Sequence, residues 1–115
     1  MTQPIFNSDR FVQSLAGDME LARELLVAFM EDSPERADSL GKALDDGDLK
    51  TVVKLAHSLK GMCGVVRTDD LVERALTMEN TAQNGDLEKV REQFVQFAAV
   101  LAAAHESMRS FMDSH

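Results

Sequence analysis

Leu49 to Val66 reads LKTVVKLAHSLKGMCGVV. At roughly 100° per residue this stretch divides into two opposite faces of one helix. Val52, Leu55, Ala56, Leu59, Met62, Cys63 and Val66 gather on the apolar side, which is expected to be buried. His57, Lys60, Gly61 and Gly64 fall on the other side, with Lys54 and Lys50 one and two turns before the histidine. Two glycines in mid-helix each cost roughly 1 kcal/mol relative to alanine, so their presence beside a solvent-facing histidine demands a reason other than helix formation.

The helices on either side are marked by a recurring dipeptide. Gly-Asp occurs at Gly17-Asp18, Gly47-Asp48 and Gly85-Asp86. Glycine suits the left-handed position that ends one helix, and aspartate accepts from the free amides that open the next. Ser33-Pro34-Glu35 reads as a further start, with serine as cap and proline in the first turn. Helices are therefore predicted at about residues 8–15, 19–31, 34–46, 49–66, 69–84 and 87–112. The last carries Leu87, Val90, Phe94, Phe97, Leu101, Ala104, Met108 and Phe111 along one side. The one before it carries Leu71, Ala75, Met78 and Ala82. Short turns between such stripes favour antiparallel packing within the chain over a coiled-coil seam. The expected fold is all-α: an antiparallel four-helix bundle with the N-terminal helices packed on it, forming a single domain over residues 1–115.

Composition narrows the function. The 115 residues hold 20 acidic against 12 basic side chains, a formal charge of −8, which argues against nucleic acid as a partner. Phe94 to Ala104, the longest uncharged apolar run, is too short to cross a bilayer, and the lone Cys63 rules out an internal disulfide. A cytoplasmic monomer is expected. Cys63 reads as a core residue, and His105 and His115 as incidental. No histidine pair has the spacing a shared metal favours, so no metal site is expected. No Gly-x-x-x-x-Gly-Lys-Ser/Thr loop is present for a nucleotide.

Neutral imidazole is a nucleophile near neutral pH, and an ammonium one turn along the face offers a point charge to an incoming phosphoryl oxygen. Bare backbone at Gly61 and Gly64 gives clearance for a donor. These are the requirements of phosphoryl acceptance by a histidine.

The run Ala56-His57-Ser58-Leu59-Lys60-Gly61-Met62-Cys63-Gly64, followed by Leu71 and by Met78-Glu79, resembles the histidine phosphotransfer (HPt) domains of bacterial and eukaryotic phosphorelays. The Gly-Asp before the second helix, the Glu31-Asp32-Ser33-Pro34 junction and the Gly47-Asp48 turn fall where that family places similar features. The resemblance implies that His57 accepts the phosphoryl group on Nε2 and that Lys60 stabilises it. It implies that Glu79 orients the imidazole through Nδ1; Lys50, Lys54, Gly61 and Gly64 on the same face, and Arg67 at its rim, are expected to meet the partner. The implied partners are response-regulator receiver domains and a hybrid histidine kinase, with magnesium held by the receiver and no cofactor intrinsic to this chain. The protein would shuttle phosphoryl groups as a carrier without its own ATP site; the alternative is an adaptor that docks on a receiver and modulates it. The chain departs from the pattern in having Arg67 where a further glycine is common, and in its bulky Met62 and Cys63.

Overall fold

A computed structural model describes residues 5–115, and the elements among them are all helical. In chain order they are α1 (Ser8–Ser14), α2 (Met19–Asp45), α3 (Leu49–Val65), α4 (Asp69–Gln83) and α5 (Leu87–Asp113). The four long helices make the bundle, in which α3 packs most extensively against α4 and α2, and α5 closes the other side against α4 and α2. Short α1 lies across one end: Phe6 meets the rings of Phe11 and Phe111 at 5.7 and 6.0 Å between centroids, and Arg10 pairs with Asp69 at the start of α4.

The three Gly-Asp junctions fold as their chemistry requires. Gly17, Gly47 and Gly85 have φ of 81°, 69° and 82°, and the Asp18, Asp48 and Asp86 carboxylates accept from the amides of Leu21, Thr51 and Lys89. The α3–α4 junction uses different residues for the same geometry. Arg67 stands in the left-handed region at φ 58°, while the amides of Arg67 and Thr68 donate to the carbonyls of Gly64 and Cys63 at 3.1 Å each. Buried Thr68 adds its hydroxyl, donating to the Cys63 carbonyl at 2.9 Å.

The break expected at Ser33-Pro34 does not occur. α2 runs unbroken from Met19 to Asp45 with Pro34 inside it. Proline removes one backbone donor and so forfeits the bond to the Met30 carbonyl, yet tertiary packing outweighs that loss. Ala22, Leu26, Phe29, Ser33, Ala37, Leu40 and Leu44 form one buried stripe that keeps its three- and four-residue spacing straight through the proline. Ser33 is therefore a seam residue and caps nothing: its hydroxyl lies 2.8 Å from Nε2 of His105 on α5, whose ring also packs edge-on against Phe29. His105 is thus a link between α2 and α5, a structural role its sequence position alone did not indicate. Smaller shifts concern Leu55 and Met62, which are half-buried where full burial was expected.

Two predictions follow from this packing. An L-residue in the left-handed region costs roughly 1–2 kcal/mol, partly offset for glycine by its freer unfolded chain. Arg67→Gly should therefore raise the stability read by urea unfolding by about 0.5–1 kcal/mol. Burial, with a smaller contribution from Arg109, holds His105 below its usual value of 6.5, so the folded state binds this proton less readily than the unfolded state does. The neutral ring's contribution is then intact above that value and fades as pH falls below it. Urea midpoints measured across the descent from about pH 7 to 5 should drop in the wild type and drop less in His105→Gln.

Candidate functional site: the histidine face of α3

The buried positions of α3 are Val52, Ala56, Leu59 and Cys63, which fix the helix against the core and turn the opposite face outward. His57 stands on that outer face with 67% of its side chain exposed. Lys60 follows one turn along. Across the α3–α4 interface, buried Leu71, Ala75, Met78 and Ala82 set the register of α4 and bring Glu79, next to Met78, to the edge of α3.

Glu79 joins the other two. Its Oε2 accepts from His57 Nδ1 at 3.2 Å and its Oε1 accepts from Lys60 Nζ at 3.0 Å, while its own side chain is only 12% exposed. The Lys60 hydrogen bond, followed by that of His57, holds the Glu79 carboxyl below the usual carboxylate range against the opposing effect of burial. An ionised carboxylate only accepts, so the proton on its imidazole partner sits on Nδ1 and the lone pair of Nε2 faces out. One half-buried carboxylate thereby selects the tautomer of His57 and restrains the ammonium of Lys60.

The remaining expected residues surround this trio. A Cβ added to Gly61 would meet nothing within 4 Å, and one added to Gly64 would only touch Val72 Cγ2 at 4.0 Å. Neither glycine is required by packing inside the molecule, which leaves clearance above the helix as their physical consequence. Lys50 and Lys54 are exposed on the N-terminal half of α3, where both lower the carboxyl pKa of Asp48 by smaller effects than its bonds to Thr51. Arg67 is exposed at the far end, set by its backbone role in the α3–α4 turn. Cys63 is buried, and desolvation pushes its thiol up to about 12, so it is unreactive core. Among the described residues no cluster of three or more His, Cys, Asp or Glu is arranged to hold a metal ion.

Two features of the face escaped the sequence reading, both contributed by α2. Arg36 Nη1 donates to the hydroxyl of Ser58, the residue after His57. Beside them Leu25, Ala28, Phe29, Asp32, Met62, Val65 and Val66 line a shallow apolar groove of about 130 Å³, with Val65 52% exposed at its rim. The signal was available in the spacing of Leu25, Phe29, Asp32 and Arg36, which share one side of a helix only if residues 19–45 are a single helix.

The model of the Hpt domain family matches residues 24–107, a span that contains α3, α4, Glu79 and Arg36. The chain belongs to the Hpt domain family. Its structure is also similar to that of histidine-containing phosphotransfer protein B (HptB) from Pseudomonas aeruginosa PAO1. The TM-score is 0.89, the identity 28%, and the match covers 99% of each chain. Among the curated proteins no sequence matches it. Membership carries a histidine phosphotransfer function in phosphorelays. HPt proteins are phosphocarriers rather than enzymes of the ordinary kind, and they work with receiver domains and kinases. No helix among the described residues is long and apolar enough to cross a membrane.

Because open space surrounds Gly61, Gly61→Ala should stabilise the isolated protein by about 1 kcal/mol in urea unfolding. A neutral or destabilising result would mean that the glycine has a structural purpose within the HPt domain.

Proposed function

We propose that this protein accepts a phosphoryl group on His57 Nε2 from a receiver-domain aspartate and passes it to the aspartate of another receiver. The observation that carries the reading is the shared carboxylate: Glu79 bonds His57 Nδ1 and Lys60 Nζ at once, leaving Nε2 exposed. In the forward step the Nε2 lone pair attacks phosphorus, a nitrogen–phosphorus bond forms, and the aspartate leaves as a carboxylate. The ring retains its proton on Nδ1 and becomes cationic, so the bond to Glu79 strengthens as charge develops. Lys60 turns one of its three donors to a phosphoryl oxygen. Transfer onward reverses these changes.

Magnesium enters on the receiver in this scheme, and the chain itself holds neither a cofactor nor an ATP site. We place the protein in the cytoplasm as a monomer, since its apolar stripes are satisfied within one bundle. Lys50, Lys54 and Arg67 carry positive charge to the receiver, and Gly61 and Gly64 allow its backbone to approach. The apolar groove of α2 and α3 extends that face with surface worth covering. The adaptor reading is disfavoured by the same trio, because a steric blocker has no use for a fixed tautomer with a free Nε2.

The deciding experiment mixes the protein with phosphorylated receiver domains and magnesium and follows acid-labile label. Wild type should take up label and His57→Gln none, while label from ATP alone should stay absent from both. Lys60→Ala should slow transfer by about tenfold to a hundredfold with little change in receiver affinity. Tight docking by the wild type without label on any receiver of a broad panel would leave the adaptor in its place.

A further inference from the structure

Arg36 is a cation of the histidine face that, like Lys50, Lys54 and Arg67, forms no ion pair among the described residues, and it is the one of these that α2 contributes. The ion pairs formed among the described residues are those of Arg10, His57, Lys60 and Arg74. Lys60 is engaged by Glu79, and Lys50 and Lys54 sit in the field of Asp48. Asp32 lies one turn before Arg36 on α2, the favourable helical spacing for a pair, yet the guanidinium reaches instead across to α3 and donates to the neutral hydroxyl of Ser58. In a chain of net charge −8, carboxylate partners are plentiful. An arginine held beside the phosphoacceptor by a hydroxyl keeps its full charge and most of its five donors for an external anion.

Its position also differs from that of Lys60. Along α3, Lys60 falls roughly 60° to one side of His57, toward α4, and Ser58 roughly 100° to the other, toward α2. Arg36 therefore adds a guanidinium from α2 to the flank of His57 on which Lys54, roughly 60° around α3 and one turn earlier, is the helix's own cation. It stands on the side of the apolar groove, whose walls include Asp32 and Phe29 from the preceding turns of α2.

We propose that Arg36 is a specificity-determining residue that binds a carboxylate of the docking receiver domain, with Ser58 holding the guanidinium ready for it. This rests on the phosphocarrier reading and adds to it which partner group is recognised and from which helix. The complementarity is direct: a planar fork of donors suits a carboxylate, and an acidic receiver surface meets an uncompensated cation. The Ser58 bond is a surface bond, so the fold does not depend on it.

The test measures phosphotransfer from a phosphorylated receiver to wild type, Arg36→Gln, Arg36→Lys and Arg36→Glu at low and high salt, alongside circular dichroism of each. Arg36→Glu should raise the KM for the receiver about tenfold at low salt with kcat nearly unchanged, and Arg36→Gln about threefold. Arg36→Lys should recover part of the loss, and high salt should shrink all differences. The lifetime of the label on His57 after the receiver is removed should be the same in every variant. Unchanged KM in Arg36→Glu at low salt would overturn the inference, as would a shortened lifetime of the label, which would place Arg36 on the phosphoryl group instead. Normal transfer to wild type in the same experiment confines either failure to Arg36. Absence of transfer to wild type would remove the phosphocarrier reading and this inference together.

Discussion

The packing of α3 on α4 sets the distance between an imidazole and a carboxylate that lie 22 positions apart in the chain. Leu59 and Cys63 on one helix and Leu71, Ala75 and Met78 on the other are wholly buried in a single core. Close-packed interiors tolerate little sliding, so the register of these residues is also the register of His57, Lys60 and Glu79. Reactivity at the surface is here a consequence of order in the core. The imidazole itself is two-thirds exposed, and its orientation comes from a partner that is only 12% exposed and anchored beside Met78. A histidine held by its own helix alone would sample both tautomers and several rotamers. The neighbour restricts it without covering Nε2.

Which parts of this were legible in the sequence follows from where the determining information resides. The α3 face could be read because a helix of known period converts the order of residues directly into direction; His57 and Gly61 are exposed, while Lys60 and Gly64, expected to face solvent, are half-buried beside α4. The Gly-Asp turns were legible because left-handed backbone and amide capping each favour few residue types. Glu79 was only partly legible. Its spacing along α4 permitted contact, while the simultaneous bond to Lys60 depends on the relative heights of two helices, which no local pattern encodes.

The misread segment shows a competition between local and tertiary effects. Ser33-Pro34-Glu35 has every local attribute of a helix start, and the predicted break followed from them. The buried stripe from Ala22 to Leu44 runs through the same residues with no change of register. Seven positions sharing one apolar seam outweigh one lost backbone bond. Ser33 fits the seam because His105 lies within hydrogen-bonding distance, so its buried hydroxyl is satisfied. Reading the segment as two helices also concealed the contribution of α2 to the site, since Arg36 and Phe29 share a side only when α2 is continuous. The α3–α4 turn illustrates the converse: Arg67 takes a conformation that favours glycine, and the two amide bonds of the turn together with buried Thr68 hold it there.

Charge is distributed so that global and local fields oppose each other. The molecule as a whole is acidic, with a net charge of −8, and would repel an acidic partner surface from most directions. On the face of His57 the carboxylate of Glu79 offsets the ammonium of Lys60. The attractive part of the local field therefore comes from Lys50, Lys54, Arg67 and Arg36, around the rim. Such an arrangement separates guidance from chemistry. Rim charges act at the range of a Debye length, roughly 8 Å in physiological salt, and in the docking we propose they orient the partner before contact. In the transfer we propose, the compensated centre meets the phosphoryl group only at contact, where negative charge at Nε2 strengthens the hold of Lys60 and a cationic ring strengthens that of Glu79. A centre with a bare excess of positive charge would bind any anion; one whose ammonium is already held by a carboxylate discriminates in favour of a group that reaches it in contact.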